Sequence, residues 1–186
     1  MHKVLDFIKK NKQFSFFLLL VILLALITIF APVIAPQDPY ASDLKNALQP
    51  PSSAHWFGTD KLGRDIFSRV IYASRSSLPA TLILVVLIFA IGTLLGTLAG
   101  YFGGWIDAVI MRISDMMISF PGMVLAIAVA GIMGASVKNA VIAVAVVSWP
   151  KYARLARSLV MKIRHEDYIY AAIVTGSKTS YILRKY

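Results

Sequence analysis

Cysteine is absent from the 186 residues, which removes disulfides, thiolate zinc sites, iron–sulfur clusters and cysteine nucleophiles from consideration. Histidine is scarce, and His2, His55 and His165 stand far apart, so no protein metal site is expected. Charged residues make up only 15% of the chain, against about 25% in an ordinary soluble domain. The acidic ones are the scarcer, nine Asp and Glu against nineteen Lys and Arg. No Ser/His/Asp set, HExxH or zinc spacing offers a catalytic constellation. Gly176-Ser177-Lys178-Thr179 is not a phosphate-binding loop either. An extra Ser separates Gly from Lys, residue 171 is Ala, and no strand precedes it. Neither catalysis nor a resident cofactor is expected.

What is abundant is apolar residue, at 58% with a mean hydropathy of +0.72, gathered into uncharged blocks. That distribution nearly excludes a soluble single-core enzyme and points to a polytopic all-α membrane protein. The net charge of +10 sits at the edges of the blocks. Such placement marks cytoplasmic flanks and contact with anionic headgroups rather than nucleic-acid binding.

A helix needs about 20 apolar residues to cross a hydrocarbon core of roughly 30 Å, and four segments are candidates. The first, residues 14–35, begins beside a basic start. Its length exceeds a signal h-region, and Pro32 and Pro36 crowd the would-be cleavage site, so a retained span is the better reading. The second is uncharged over 76–106, with Pro79 at a position suited to a helix start. The third, 116–137, is interrupted by Pro121. The fourth is charge-free only over 139–150, about 18 Å of helix, and spans only if Lys138 snorkels and Lys151 is tolerated. Lys3, Lys9, Lys10 and Lys12 at one end and eight basic residues from Lys151 onward at the other place both termini in the cytoplasm. The expected organisation is a cytoplasmic N-terminus and first span (1–35), an extracellular loop with an interfacial helix (36–77), core spans (78–162) and a cytoplasmic segment (163–186).

Between the spans, Gly92, Gly96 and Gly100 recur every four residues, a spacing that lets helix backbones approach closely in lipid. In the loop, Thr59 or Asp60 can cap a helix whose Ile66, Phe67, Val70 and Ile71 share one face. That helix reads as interfacial, or alternatively as a gate or docking surface. Gly103-Gly104 makes a tight turn beside Trp105. Arg112 and Asp115, three apart, read as an anchoring ion pair rather than a transport site. Lys151, Arg154 and Ser158 fall on one helical face. They either line a water-filled vestibule or snorkel to the headgroups. In the tail, Tyr168, Ala171, Ala172 and Thr175 sit at helical spacing, Gly176 can end that helix, and a second amphipathic stretch starts near Ser180. Its small residues either let another protein dock or belong to a plain surface loop.

Taken in series, GTDKLGRDIFSR (58–69), GYFGGWID (100–107), MRISD (111–115) with Phe120-Pro121, WPKYARLARS (149–158) and EDYIYAA (166–172) with Gly176 resemble the permease subunits of the peptide/nickel class of bacterial ABC importers. The resemblance covers nearly the whole chain in order. It implies the type I importer permease fold of six spans, four of them present here, in the bacterial cytoplasmic membrane. The sequence stops at Tyr186, where that family would continue through two further spans, so a truncated permease unable to transport alone is expected. The implied partners are a second homologous permease, two cytoplasmic ATPases that bind the ATP, and an extracellular substrate-binding protein. Tyr168, Ala171, Ala172 and Gly176 resemble the loop that docks into the ATPase, although Tyr170 replaces the glutamate often found before the two alanines. The stretches 148–172 and 63–69 resemble nickel-type members more than dipeptide-type ones, so nickel or a nickel complex is expected as cargo ahead of di- or oligopeptides. A passive channel and a membrane assembly factor are the rival classes.

Overall fold

The computed structural model describes residues 11–179 and 181–182. His2, Lys3, Lys9, Lys10 and Ser180 lie outside the described residues. The chain divides into two compact units, Met1–Pro79 and Ala80–Tyr186.

In the first unit, α1 (Lys12–Ile29) is an 18-residue helix with no buried residue. Phe14, Leu19 and Leu24 on different sides are each more than half exposed. A helix that is apolar all round has no water-facing side and belongs in lipid. It stops at Phe30, and Pro32 falls in the first turn of the four-residue α2 (Ala31–Ile34), where its missing N–H removes no bond. Thr28 Oγ1 then donates to Ser74 Oγ at 3.1 Å.

The loop that follows is held by backbone pairing. Asp43 N–H donates to the Leu62 carbonyl at 3.0 Å, Leu48 N–H to Asp60 at 3.1 Å and Thr59 N–H to Gln49 at 3.1 Å. A single 3-10 turn, Leu44–Asn46, is capped by Asp43. Gly63, at φ +73°, lies so close to the Asp43 carbonyl that a Cβ there would overlap it, and only glycine fits.

The next helix, α3 (Ile66–Phe102), runs unbroken for 37 residues, and two sequence expectations change with it. Asp65, not Thr59 or Asp60, receives the first-turn amide, from Ser68 N–H at 2.7 Å. Thr59 is buried instead in the loop, accepting from Gln49 N–H at 2.8 Å and donating to the Asn46 carbonyl. Pro79 sits inside the helix rather than at its start. It removes one i−4 bond, a loss that long membrane helices tolerate because neighbouring groups re-satisfy the freed carbonyl. No separate interfacial helix precedes the span. Of the expected apolar face, Ile71 is buried while Val70 is 57% exposed, and Phe67 stacks with Trp56 and Phe57 at centroid distances of 4.8 and 5.1 Å.

In the second unit, Gly103 and Gly104, both at positive φ, turn the chain from α3 into α4 (Gly104–Ser119). Phe120, forced extended at ψ 146° by the following proline, ends α4. The 12-residue α5 (Gly122–Met133) then departs at 95°, so the third expected span is a broken one. Ser136 caps α6 (Val137–Arg164), accepting from Asn139 N–H at 3.0 Å. α5 packs along α6, as does α4, with Ala143, Ala145, Trp149, Pro150 and Ala153 buried.

α3 meets α6 through glycine. A Cβ on Gly92 would lie 3.0 Å from the Trp149 carbonyl. One on Gly96 would overlap the Ala153 carbonyl and lie 2.7 Å from Ala156 Cβ, and one on Gly100 would lie 2.9 Å from the Arg157 carbonyl. α7 (Asp167–Val174) completes the unit.

Among the described residues two helices, α1 and α3, are long and apolar enough to cross a membrane, and α4–α5 makes a third if the bent pair counts as one. α6, where the sequence suggests a fourth span, is not apolar enough along its length to join them. Lys151 and Arg154 dilute its second half.

Candidate functional site

Asp107, Met111 and Asp115 recur at i, i+4 and i+8 and so lie on one face of α4, while Arg154 and Arg157, three apart, share a face of α6. The packing of α4 on α6 brings the two stripes together. Arg157 engages Asp107 through both of its carboxylate oxygens, a bidentate pair whose side chains are 31% and 19% exposed. Arg154 pairs with Asp115 in a more open setting, at 45% and 57% exposure. Met111, Asp115, Arg154 and Arg157 line an open recess of about 340 Å3. Charges in an apolar helix bundle are stabilised by such pairing, and it ties the register of α4 to α6.

The ion pair expected between Arg112 and Asp115 is not there. Asp115 turns to Arg154, because an interhelical partner meets it head-on, and Arg112 has no ion-pair partner among the described residues. Of Lys151, Arg154 and Ser158, only Arg154 reaches the recess. Ser158 Oγ donates back to the Leu155 carbonyl at 2.8 Å and Lys151 is exposed. The sequence singles out Asp107 and Asp115 as ionisable groups in this span but does not pair them with Arg157 and Arg154 on α6. Their signal was opposite charge at matching helical spacing on two segments.

The tail is divided by burial. Ile169 and Ala172 face inward and form a small core with Ile182, against Tyr101 and Ile163. Tyr168 and Ala171 are exposed. Gly176, at φ +79°, ends α7: Ser177 N–H reaches the Ala172 carbonyl and Gly176 N–H the Ile173 carbonyl, each at 3.0 Å. This reciprocal pair fixes the exit direction of the chain and satisfies two terminal carbonyls. Ala172 is therefore packed inward, and the exposed side is carried by Tyr168, Ala171 and Gly176.

On the loop, Asp60 accepts from Arg64 Nε at 2.9 Å and from the Leu62 and Arg64 amides. The guanidinium holds its carboxyl down at about 2. Burial pushes Asp65 up, but hydrogen bonds from the Ser68 hydroxyl and amide and from His55 outweigh it, leaving the carboxyl below its ordinary range.

Residues 92–186, just over half of the chain, match the family model of the binding-protein-dependent transport system inner membrane component. Residues 2–51 match that of the N-terminal transmembrane domain of oligopeptide transport permease C. The dipeptide transport system permease protein of Alkalihalophilus pseudofirmus is 44% identical over 95% of this chain and 58% of its own length. The probable D,D-dipeptide transport system permease protein of Escherichia coli is 46% identical over 88% of this chain and 55% of its own. The nickel transport system permease protein of Escherichia coli is 39% identical over 86% and 58%. The chain thus spans between half and two thirds of the length of these relatives.

Proposed function

The chain belongs to the family of binding-protein-dependent transport system inner membrane components, and from that premise we propose that it is a permease subunit of an ATP-driven importer of di- or oligopeptides. It performs no catalysis of its own and forms part of a pathway wall across the bacterial cytoplasmic membrane. Its partners are a second homologous permease, cytoplasmic ATPases and an extracellular binding protein. The observation that carries the cargo class is the identity to relatives named for dipeptides, 44% and 46%. The relative named for nickel stands at 39%. This reverses the preference for nickel drawn from residues 148–172 and 63–69, whose likeness to nickel-type members covers only short stretches. Nickel remains the second reading on the strength of that 39% match.

In this reading α7 is the handle on which the ATPase acts. Tyr168 and Ala171 form its outer face, while Ile169 and Ala172 anchor it to Tyr101 and Ile163 at the ends of α3 and α6. A push on α7 is then transmitted to α6, and through the Asp107–Arg157 and Asp115–Arg154 pairs to α4. Outward and inward access alternate as these helices shift.

The test is uptake by membranes containing this chain with its cognate permease, ATPases and binding protein, using labelled dipeptide and labelled nickel. Dipeptide uptake is expected, and Ala171→Trp should abolish it while insertion into the membrane persists. Nickel uptake alone would overturn the cargo class. Uptake without ATP, or full activity of Ala171→Trp, would overturn the coupling role in favour of a channel or an assembly protein.

A further inference from the structure

One feature lies apart from both the charged recess and the exposed face of α7. Where α3 and α6 end beside the tail, Thr97, Tyr101, Val160, Ile163, Arg164, Ile169 and Ile182 enclose a slot of about 150 Å3. Its walls are the half-buried Thr97, Tyr101, Val160 and Ile163 and the buried Ile169 and Ile182. Among the described residues that line it, one cation stands at its rim. The Arg164 guanidinium sits 5.9 Å above the Tyr101 ring and lies against Gly103, where a Cβ would be 3.6 Å from it. Arg164 is exposed and makes no ion pair among the described residues. An apolar slot with one unpaired guanidinium at its mouth matches an amphiphile that carries an anionic head.

The surroundings say which amphiphile. With Arg154 and Arg157 held by Asp115 and Asp107, the charges that remain from 151 to 178 are Lys151, Lys162, Arg164 and Lys178 against Glu166 and Asp167. That excess of positive charge at a helix end marks the depth of phospholipid headgroups, and basic pockets between helices there bind anionic lipid. The geometry points to this slot as the site of an anionic phospholipid of the leaflet that faces α7. Its phosphate meets Arg164, and its first acyl methylenes lie along Val160, Ile163 and Ile169. Because Ile169 also anchors α7, the lipid occupies the hinge between α6 and the tail and stiffens it.

Native mass spectrometry of the whole purified chain, titrated with dioleoyl phosphatidylglycerol, tests the assignment. Phosphatidylglycerol is expected to remain bound where dioleoyl phosphatidylcholine is lost. Arg164→Gln should weaken it by about fivefold or more, since each Lys or Arg near the membrane surface contributes about that factor. Thr97→Leu, which fills the slot without altering charge, should weaken it comparably. Lys162→Gln, which removes an equal charge from the other side of the same helix end, should have little effect. An excess of glycerol 3-phosphate should not compete. Circular dichroism confirms that each variant is helical, and the exposed Arg164 variant carries the test if Thr97→Leu does not fold. Equal weakening by Lys162→Gln would overturn the proposal in favour of diffuse surface charge. Equal retention of phosphatidylcholine would reduce the slot to an apolar crevice, and competition by glycerol 3-phosphate would make it a site for free anions. Either result also overturns the proposal.

Discussion

Replacing Gly96 by alanine adds one methyl group where α3 touches α6. That methyl would overlap the Ala153 carbonyl and stand 2.7 Å from Ala156 Cβ. The carbonyl belongs to a helix backbone and cannot rotate away, so the two helices must separate. Overpacking of this kind costs about 1–3 kcal/mol. Gly131 supplies the control: it lies in α5 at ordinary φ, with nothing within 4 Å of a Cβ. Alanine there should stabilise by about 0.4–1 kcal/mol, because the unfolded chain loses freedom and the helix gains propensity. At roughly 2–4 °C per kcal/mol for a chain of this size, Gly96→Ala should lower the melting temperature of the detergent-solubilised protein by several degrees while Gly131→Ala holds or raises it. Gly92→Ala should fall between Gly96→Ala and Gly100→Ala, because its Cβ would meet Tyr152 Cβ at 2.5 Å whereas the nearest atoms to Gly100 stand at 2.9 Å. Combining Gly96→Ala with Ala156→Gly should recover only part of the loss, because the Ala153 carbonyl remains. Equal shifts at residues 96 and 131 would refute the claim that the glycines are required by the closeness of α3 and α6.

Double-mutant cycles with Asp→Asn and Arg→Gln should return a coupling of about 1.5–3 kcal/mol for the bidentate, better shielded Asp107–Arg157 pair. They should return about 0–1 kcal/mol for the exposed Asp115–Arg154 pair, and equal couplings would contradict the difference in burial. The loop should hold its order down to about pH 4 and loosen as the pH falls further toward 2. Asp60 is depressed from its ordinary 3.8 to about 2 in the folded chain, so the stabilisation it contributes is present above the unfolded value and lost below it. Hydrogen exchange of residues 43–65 checks this, and Asp60→Asn should flatten the dependence. Gly63→Ala should make the same loop sensitive to protease without changing α6, because the new Cβ has no room beside the Asp43 carbonyl at φ +73°; an intact loop in that variant would show that it can shift freely.

Features that depend on one segment were readable in advance. The uncharged run after Lys12 became α1, the Gly103-Gly104 pair became a turn, Pro121 broke the third apolar block and Gly176 closed α7, each through local chemistry. What the sequence could not fix is which partner a residue meets. Arg112 and Asp115 satisfy the spacing rule for a pair on one helix, yet such surface pairs are worth only about 0.2–0.5 kcal/mol. A facing arginine on another helix outcompetes that geometry, and only the register of α4 on α6 reveals it. Helix starts failed for a related reason. Thr59, Asp60 and Asp65 are all chemically able to cap, but the loop ladder takes up Thr59 and Asp60, leaving Asp65 for Ser68. The two alanines of the tail are chemically identical. Ala172 is drawn inward because it shares a face with Ile169, three residues earlier, whose burial outweighs that of a methyl group, and Ala171 is thereby left outside. The division follows from the neighbour rather than from the alanine. Under the proposed coupling role, residues that face another protein and residues that pack α7 in place are thus interleaved at single-residue spacing, and mutating the pair together would confound docking with folding. Substituting Ala171 alone separates the two.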